Sequence, residues 1–565
     1  EDLMPFLDAL ALATVSSLEL KQYEPVDEFG TRFLQLGSDR EQAPDIRAGR
    51  AVARTALGKT AVALTEFTEL CQEHPDRNQV WSSVLTAAEM LLESKTPAEA
   101  EAFFQLATTH PEAADVQEAG LSGIAWTQYR SSRPQEAEVS FQKLLTAFPN
   151  SKDLVQNQFM LAKSIDDQQD DERSAAAWVS AWQAMAEGLK PVAADAEKQP
   201  PLAYVFDAGR TAARKMQQVG KLDEAAAVWT KLLATFPAST ETPAMLDEWA
   251  WMHISAEQFD KSDEIYRRLV RDFPESVFSG EARLSLAESQ LQAGELEQPL
   301  AEMQSLATAT RFSEYVRERA RFHVVEIFAS TGRWNELKTE SALFLEEWPN
   351  SEFAPRARLF LADSLLQSGE AVEATAAVEQ LQAAIKEGTV PAEEWTHRAW
   401  VVQAEILLAT ANYAAIDAVE EEFRRLSPDS RFLFQILDVQ GRRWKQQPGP
   451  DFEKSRDYLR RVTADPSAAG TETAARCQTL IADTFLLQKN FENAVREYFK
   501  VYLSYPYDSL RAMALYQAAA CEIRLKKNAA AVRDLKELIE KFPNEDVAKL
   551  AREQLSELNK ASATE

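Results

Sequence analysis

Apolar residues along this chain fall three and four places apart, in stretches that end at a glycine or a proline. That spacing puts side chains on one face of a helix. The pattern recurs. Aligned on one small residue inside each apolar stretch, the series is Ala13, Ala51, Ala87, Ala125, Ala162, Ala213, Ala250, Ala287, Val325, Ala362, Ala404, Gly441, Ala482 and Ala519. The intervals are 38, 36, 38, 37, 51, 37, 37, 38, 37, 42, 37, 41 and 37, and the three long ones contain visible insertions. A fixed period of this length predicts stacked helix pairs, because one pair cannot bury its apolar face alone.

Other positions keep step with the small residue. Seven places on stands Gly58, Gly220, Gly294, Gly332 or Gly369, suited to a helix end with positive φ. Nine places on comes a large apolar residue such as Phe259, Trp334 or Phe491, and twelve places on an alanine such as Ala63, Ala137 or Ala374. Sixteen places on sits a bulky ring, among them Phe67, Phe141, Trp229 and Tyr498. Units then close at prolines, as in Phe148-Pro149 and Trp348-Pro349, where a missing amide donor stops the second helix. Small residues on both helices permit close backbone approach, and the bulky ring fills the space between units.

Small-8, large-17, Ala-20, aromatic-24 and Pro-32 is the order in which these positions fall, and Gly332-Arg333-Trp334 and Lys489-Asn490-Phe491-Glu492-Asn493-Ala494 follow it. This resembles the tetratricopeptide repeat over nearly the whole chain, with a period two to four residues longer than that family's. The resemblance implies an all-α, right-handed α-solenoid superhelix of about fourteen helix pairs with a C-terminal capping helix. It also implies that the first helix of each pair lines a concave, partner-binding face. The Phe-Pro-x-Ser turn at Phe148–Ser151, Phe236–Ser239 and Phe273–Ser276 is similar to turns of bacterial cell-envelope members of the family.

Three insertions interrupt the period: Gly188–Pro201, Gly388–Pro391 and Gln447–Asp451. They read as loops, spacers unless they carry function. The expected organisation is N-terminal units over 1–190, an inserted loop at 191–201, central units over 202–446 and C-terminal units over 447–543. Residues 544–565 are expected to be a polar-faced capping helix, Asn544–Lys560, and a frayed tail, Ala561–Glu565. The start at Glu1-Asp2-Leu3, without Met, suggests a processed or trimmed product.

Composition narrows the partners. The chain of 565 residues carries a net charge of −28, concentrated before residue 451, since residues 451–565 hold 18 acidic and 18 basic side chains. Such a surface repels phosphate, which argues against nucleic acid and anionic membranes. The charge serves solubility and admits a basic or amphipathic protein partner. No run of apolar residues is long enough to span a membrane. Cys71, Cys477 and Cys521 are scattered and imply no disulfide framework. The envelope-like turns and the missing Met favour an extracytoplasmic place, periplasmic or envelope-associated, over a cytoplasmic one. The oligomeric state is not readable.

Catalytic chemistry is hard to find. His74 and His110 occupy the aromatic slot before a turn proline, while His253, His323 and His397 stand in different units without metal-ligand spacing. The acidic run Asp166–Glu172 lacks the spacing of a calcium loop and falls at a turn, so a solvated turn is expected. No phosphate-cradling or nucleophile motif occurs. Neither a cofactor nor a metal is expected, and the chain reads as no enzyme.

The one constellation with a pattern is electrostatic. One place after the small residue stand Glu288, Glu326, Asp363, Glu405 and Asp483, and six places before it Arg319, Arg356, Arg398 and Arg476. Each arginine shares a helix with an acid seven residues on, so stacking would give a positive and a negative row on the concave face. Two readings follow: a charged groove that orients a peptide or helix, or a ladder of weak ion pairs between repeats. In earlier units the groove positions include Trp81, Trp126 and Trp251, which would be interface anchors if exposed. The leading function is a non-catalytic protein-interaction scaffold that binds partners along the concave face. The alternatives are a structural subunit of a large assembly and a helical carbohydrate-active enzyme.

Overall fold

Each small residue of the series lies inside the first helix of a pair, and thirteen of the fourteen are buried. Ala13, on Met4–Glu19, is the exception and is half-buried. The computed structural model of the chain describes residues 3–94, 97–391 and 393–564, with the side chains of 561–564 excepted. Among these residues there are twenty-nine α-helices and no strand: fourteen antiparallel pairs and a final single helix, Asp546–Thr564. That helix continues through most of the segment expected as a frayed tail; Glu565 lies outside the described residues, as do Glu1 and Asp2 at the other end. No helix among them is long and apolar enough to cross a membrane.

The chain divides into two units, Glu1–Ser289 and Gln290–Glu565. In the second, the first helices of successive pairs pack on one another from Glu314–Thr331 to Asp508–Arg524, while second helices pack chiefly on first helices. The first-helix layer is therefore the inner, more tightly curved one. The first unit repeats this from Met4–Glu19 to Ala114–Arg130.

The core is a string of clusters rather than one centre, as expected when each pair contacts only its neighbours. Trp178, Trp182, Trp229 and Tyr266 fill it in the first unit, and Trp400, Phe423, Tyr498 and Phe542 in the second.

The turn inside eleven of the fourteen pairs has a left-handed residue at the same place. Gly58, Gly220, Gly294, Gly332 and Gly369 all have φ between +68° and +86°. The equivalent Ser132, Gln169, Glu257, Ala411, Lys489 and Lys526 have positive φ as well, so the repeat requires a left-handed residue whether or not it is glycine. The Phe-Pro-x-Ser turn between pairs, with Trp348 for Phe at Trp348–Ser351, also has a local cause. Ser151, Ser239, Ser276 and Ser351 each accept, through Oγ, the backbone amide two residues on. The serine thus anchors the start of the next first helix.

The first insertion is tied down. Val192 donates its amide to the Thr235 carbonyl at 2.9 Å, and buried Glu197 accepts from Ser239 Oγ at 2.7 Å. The acidic run is a turn, but one acid departs from the solvated expectation: Asp166 accepts Lys215 Nζ at 2.5 Å and Ser174 Oγ at 2.6 Å. The three cysteines are free and buried, and burial pushes the Cys71 thiol up to about 12.

Candidate functional site: the inner face of the helix stack

Helices three or four residues per ridge bring the positions one after and six before the small residue to the same inner surface. In the second unit the charges at these positions meet across junctions, not along one helix. Arg356 on Ala354–Gln367 reaches back to Glu326 on Glu314–Thr331 at 3.0 Å. Arg398 on Arg398–Ala409 reaches Asp363 at 3.0 Å. Arg442 on Leu433–Gln446 then pairs with Glu405 and, at 3.2 Å, with Asp438. Arg476 reaches Asp438 at 3.2 Å, and Asp483 pairs with Lys445 at 3.0 Å. Asp483 also accepts from Tyr498 Oη at 2.7 Å.

The expected positive and negative rows are therefore one ladder of acid–base contacts stitching successive first helices. Its burial is uneven. The Asp363 and Asp438 side chains are 10% and 2% exposed, whereas Arg356 and Arg398 keep 43% and 44%. Burial holds the Asp363 carboxyl above the usual carboxylate range, and the Arg398 guanidinium opposes that rise.

Four of the predicted residues converge on one cavity of about 460 Å³, where Glu326, Arg356, Asp363 and Arg398 are joined by Trp334 and Phe360. The two rings were not among the predicted site residues. Trp334 opens the second helix of its pair, nine places after Val325, and Phe360 stands two before Ala362 on the next first helix. The cavity thus lies where one pair meets the next. Arg356 also covers the Phe322 ring at 5.5 Å. Arg319 lies one helix earlier with its guanidinium 5.9 Å from the Tyr315 ring.

In the first unit, Glu288 lies on Phe278–Gln292 and already has a contact of its own. The tryptophans divide three ways. Trp81 is not an exposed anchor: it is 2% exposed, donates Nε1–H to the Pro75 carbonyl at 2.7 Å and packs on the His110 ring at 4.7 Å. Its helix, Asn78–Leu92, turns that position into the core. Trp126 is half-buried against Phe141 and Tyr129, with Arg130 over its ring. Trp251 is half exposed.

Comparison with known proteins bears on the repeat. Residues 513–545, from within Asp508–Arg524 through Asn528–Lys541 to the turn after it, match the tetratricopeptide repeat. No curated protein matches the sequence. Solved structures similar to this chain include the crystal structure of the APC/C hetero-tetramer Cut9-Hcn1, 13% identical over 98% of this chain and 96% of that one. Another is the structure of Naa15/Naa10 bound to HypK-THB, 14% identical over 99% and 97%. The TM-score is 0.34 in both cases. Residues 513–545 thus match a tetratricopeptide repeat, and most of the helix pairs before it share its antiparallel helices and left-handed turn.

Proposed function

We propose that this chain is a non-catalytic scaffold that holds partner proteins on the inner face of its helix stack. The observation that supports it most is the cavity at the junction of Glu314–Thr331 and Ala354–Gln367, where two rings lie beside two half-exposed arginines. Rings give a partner side chain apolar area, and guanidinium edges give it direction. The acids there are spent on holding the stack, since Asp363 is buried and Glu326 is paired with Arg356. A partner segment of mixed apolar and polar character, an extended peptide or an amphipathic helix, suits this lining.

The test is affinity capture from the native organism with the full chain beside a Trp334→Ala, Arg356→Ala double variant. Neither residue is buried, so helicity should be unchanged. Loss of a specific partner from the variant supports the reading. Unchanged capture moves recognition off this cavity, and the absence of any specific partner for the wild-type chain removes the scaffold reading itself.

A further inference from the structure

Repeat positions that line the cavity of the second unit carry opposite chemistry in the first. Three positions define it: one after the small residue, nine after it, and six before the small residue of the next pair. In the second unit these are Glu326, Trp334 and Arg356. At Ala250 and Ala287 of the first unit they are Trp251, Phe259 and Glu281. The acid slot holds a tryptophan, and the arginine slot holds a glutamate.

Both rings are open, Trp251 and Phe259 each being 50% exposed. Trp251 lies one turn beyond Asp247 on Thr242–Ser255, and Phe259 opens the second helix of that pair. Glu281 comes from the neighbouring Phe278–Gln292, whose Ala282 shares a core cluster with Met245 and Ala250. Its charge is felt across the junction: burial first, then Glu281, pushes the Asp247 carboxyl up to about 6. The Tyr266 hydroxyl donates to Asp247 at 3.3 Å. Arg210 and Arg214, from the preceding pair, are both bound to Glu248. Excess negative charge beside an open indole face favours a cation, which gains from the ring quadrupole and the carboxylates together.

We infer that Trp251, Phe259, Asp247 and Glu281 form a docking site for a basic extended segment, with a lysine or arginine side chain laid over Trp251 and its charge toward Glu281. This rests on the scaffold reading and gives one of its partners a chemistry. The partner's main chain would follow the inner face, with its cation at this junction.

Fluorescence anisotropy of a labelled peptide alternating lysine with glycine tests it, beside the acetyl-lysine version, at physiological salt. Against the full chain the lysine peptide should bind and the acetylated one should not. Trp251→Ala and Glu281→Gln should each weaken binding about tenfold, and Trp251→Phe should retain most of it. Equal binding of both peptides overturns the site by showing that the cation is not read, and lysine-peptide affinity untouched by Trp251→Ala overturns it by showing diffuse attraction to an acidic chain. So does no binding at all. None of these outcomes touches the scaffold reading, which fails only if the wild-type chain captures no specific partner.

Discussion

Arg398 donates through Nε to the carboxylate of Asp363 at 3.0 Å, and the contact spans two successive first helices. Asp363 is buried while the arginine stays half exposed. Arg398→Ala therefore strands a buried carboxylate and should cost about 3 kcal/mol at neutral pH. Arg356→Ala removes a pair in which both partners see water and should cost about 0–1 kcal/mol. The pH dependence follows from the raised carboxyl. Without Arg398, Asp363 is held further above its unfolded value, so stability is retained at low pH and lost as pH rises through the folded value. Urea unfolding of both variants at two pH values measures this, and equal losses would count against a buried rung.

Trp81 and Trp251 offer a second contrast, because sequence alone gave them the same role. Trp81→Ala empties a core position and leaves the Pro75 carbonyl without its indole donor. It should cost about 3–5 kcal/mol. Trp251→Ala should change stability by about 0.5 kcal/mol or less, as an exposed substitution does. Thermal unfolding distinguishes the two.

Two opposite glycine substitutions test the backbone argument. Ala411 is exposed with φ of +55°, a conformation that costs a residue with a Cβ roughly 1–2 kcal/mol. Ala411→Gly should stabilise by about 0.5–1 kcal/mol after the entropy of glycine is subtracted. Gly441 takes the place that alanine holds in most pairs, yet a Cβ there would meet Leu459 Cδ2 at 2.5 Å. Gly441→Ala should destabilise by about 1–3 kcal/mol through overpacking. A melting temperature that moves the same way in both variants would contradict this account.

The final pair holds two buried acids, Glu522 on Asp508–Arg524 and Asp534 on Asn528–Lys541. Burial, then the Asp534 carboxylate, pushes Glu522 up to about 7. Arg533, which donates to Asp534 at 3.0 Å, and Lys527 work against that rise. A raised folded value means that the folded chain binds the extra proton. Stability from this site is complete below the ordinary carboxylate range, falls as pH rises toward about 7, and is flat above. Glu522→Gln should remove that slope and raise the melting temperature above pH 7. Parallel pH profiles for the wild type and the variant would count against a raised Glu522 carboxyl.

The repeat was legible from the sequence alone, because each of its constraints is local. A left-handed turn residue, a proline after the second helix and a small residue where two backbones meet are demands of one helix pair, and each recurs in most units. So the helix pairs, their order and most of the core positions were legible. The sequence also brought Glu326, Arg356, Asp363 and Arg398 forward as charges on one inner surface. What it could not decide was partnership and depth. Whether Arg398 meets Asp363 or the acid on its own helix, whether Trp81 points into the core, and which rings join a cavity depend on how one pair rotates and settles against the next. Arg398 and Asp363 stand thirty-five positions apart and Trp81 and His110 twenty-nine, and only tertiary packing brings them together, since a helix's period fixes which side chains share a face but not what that face meets.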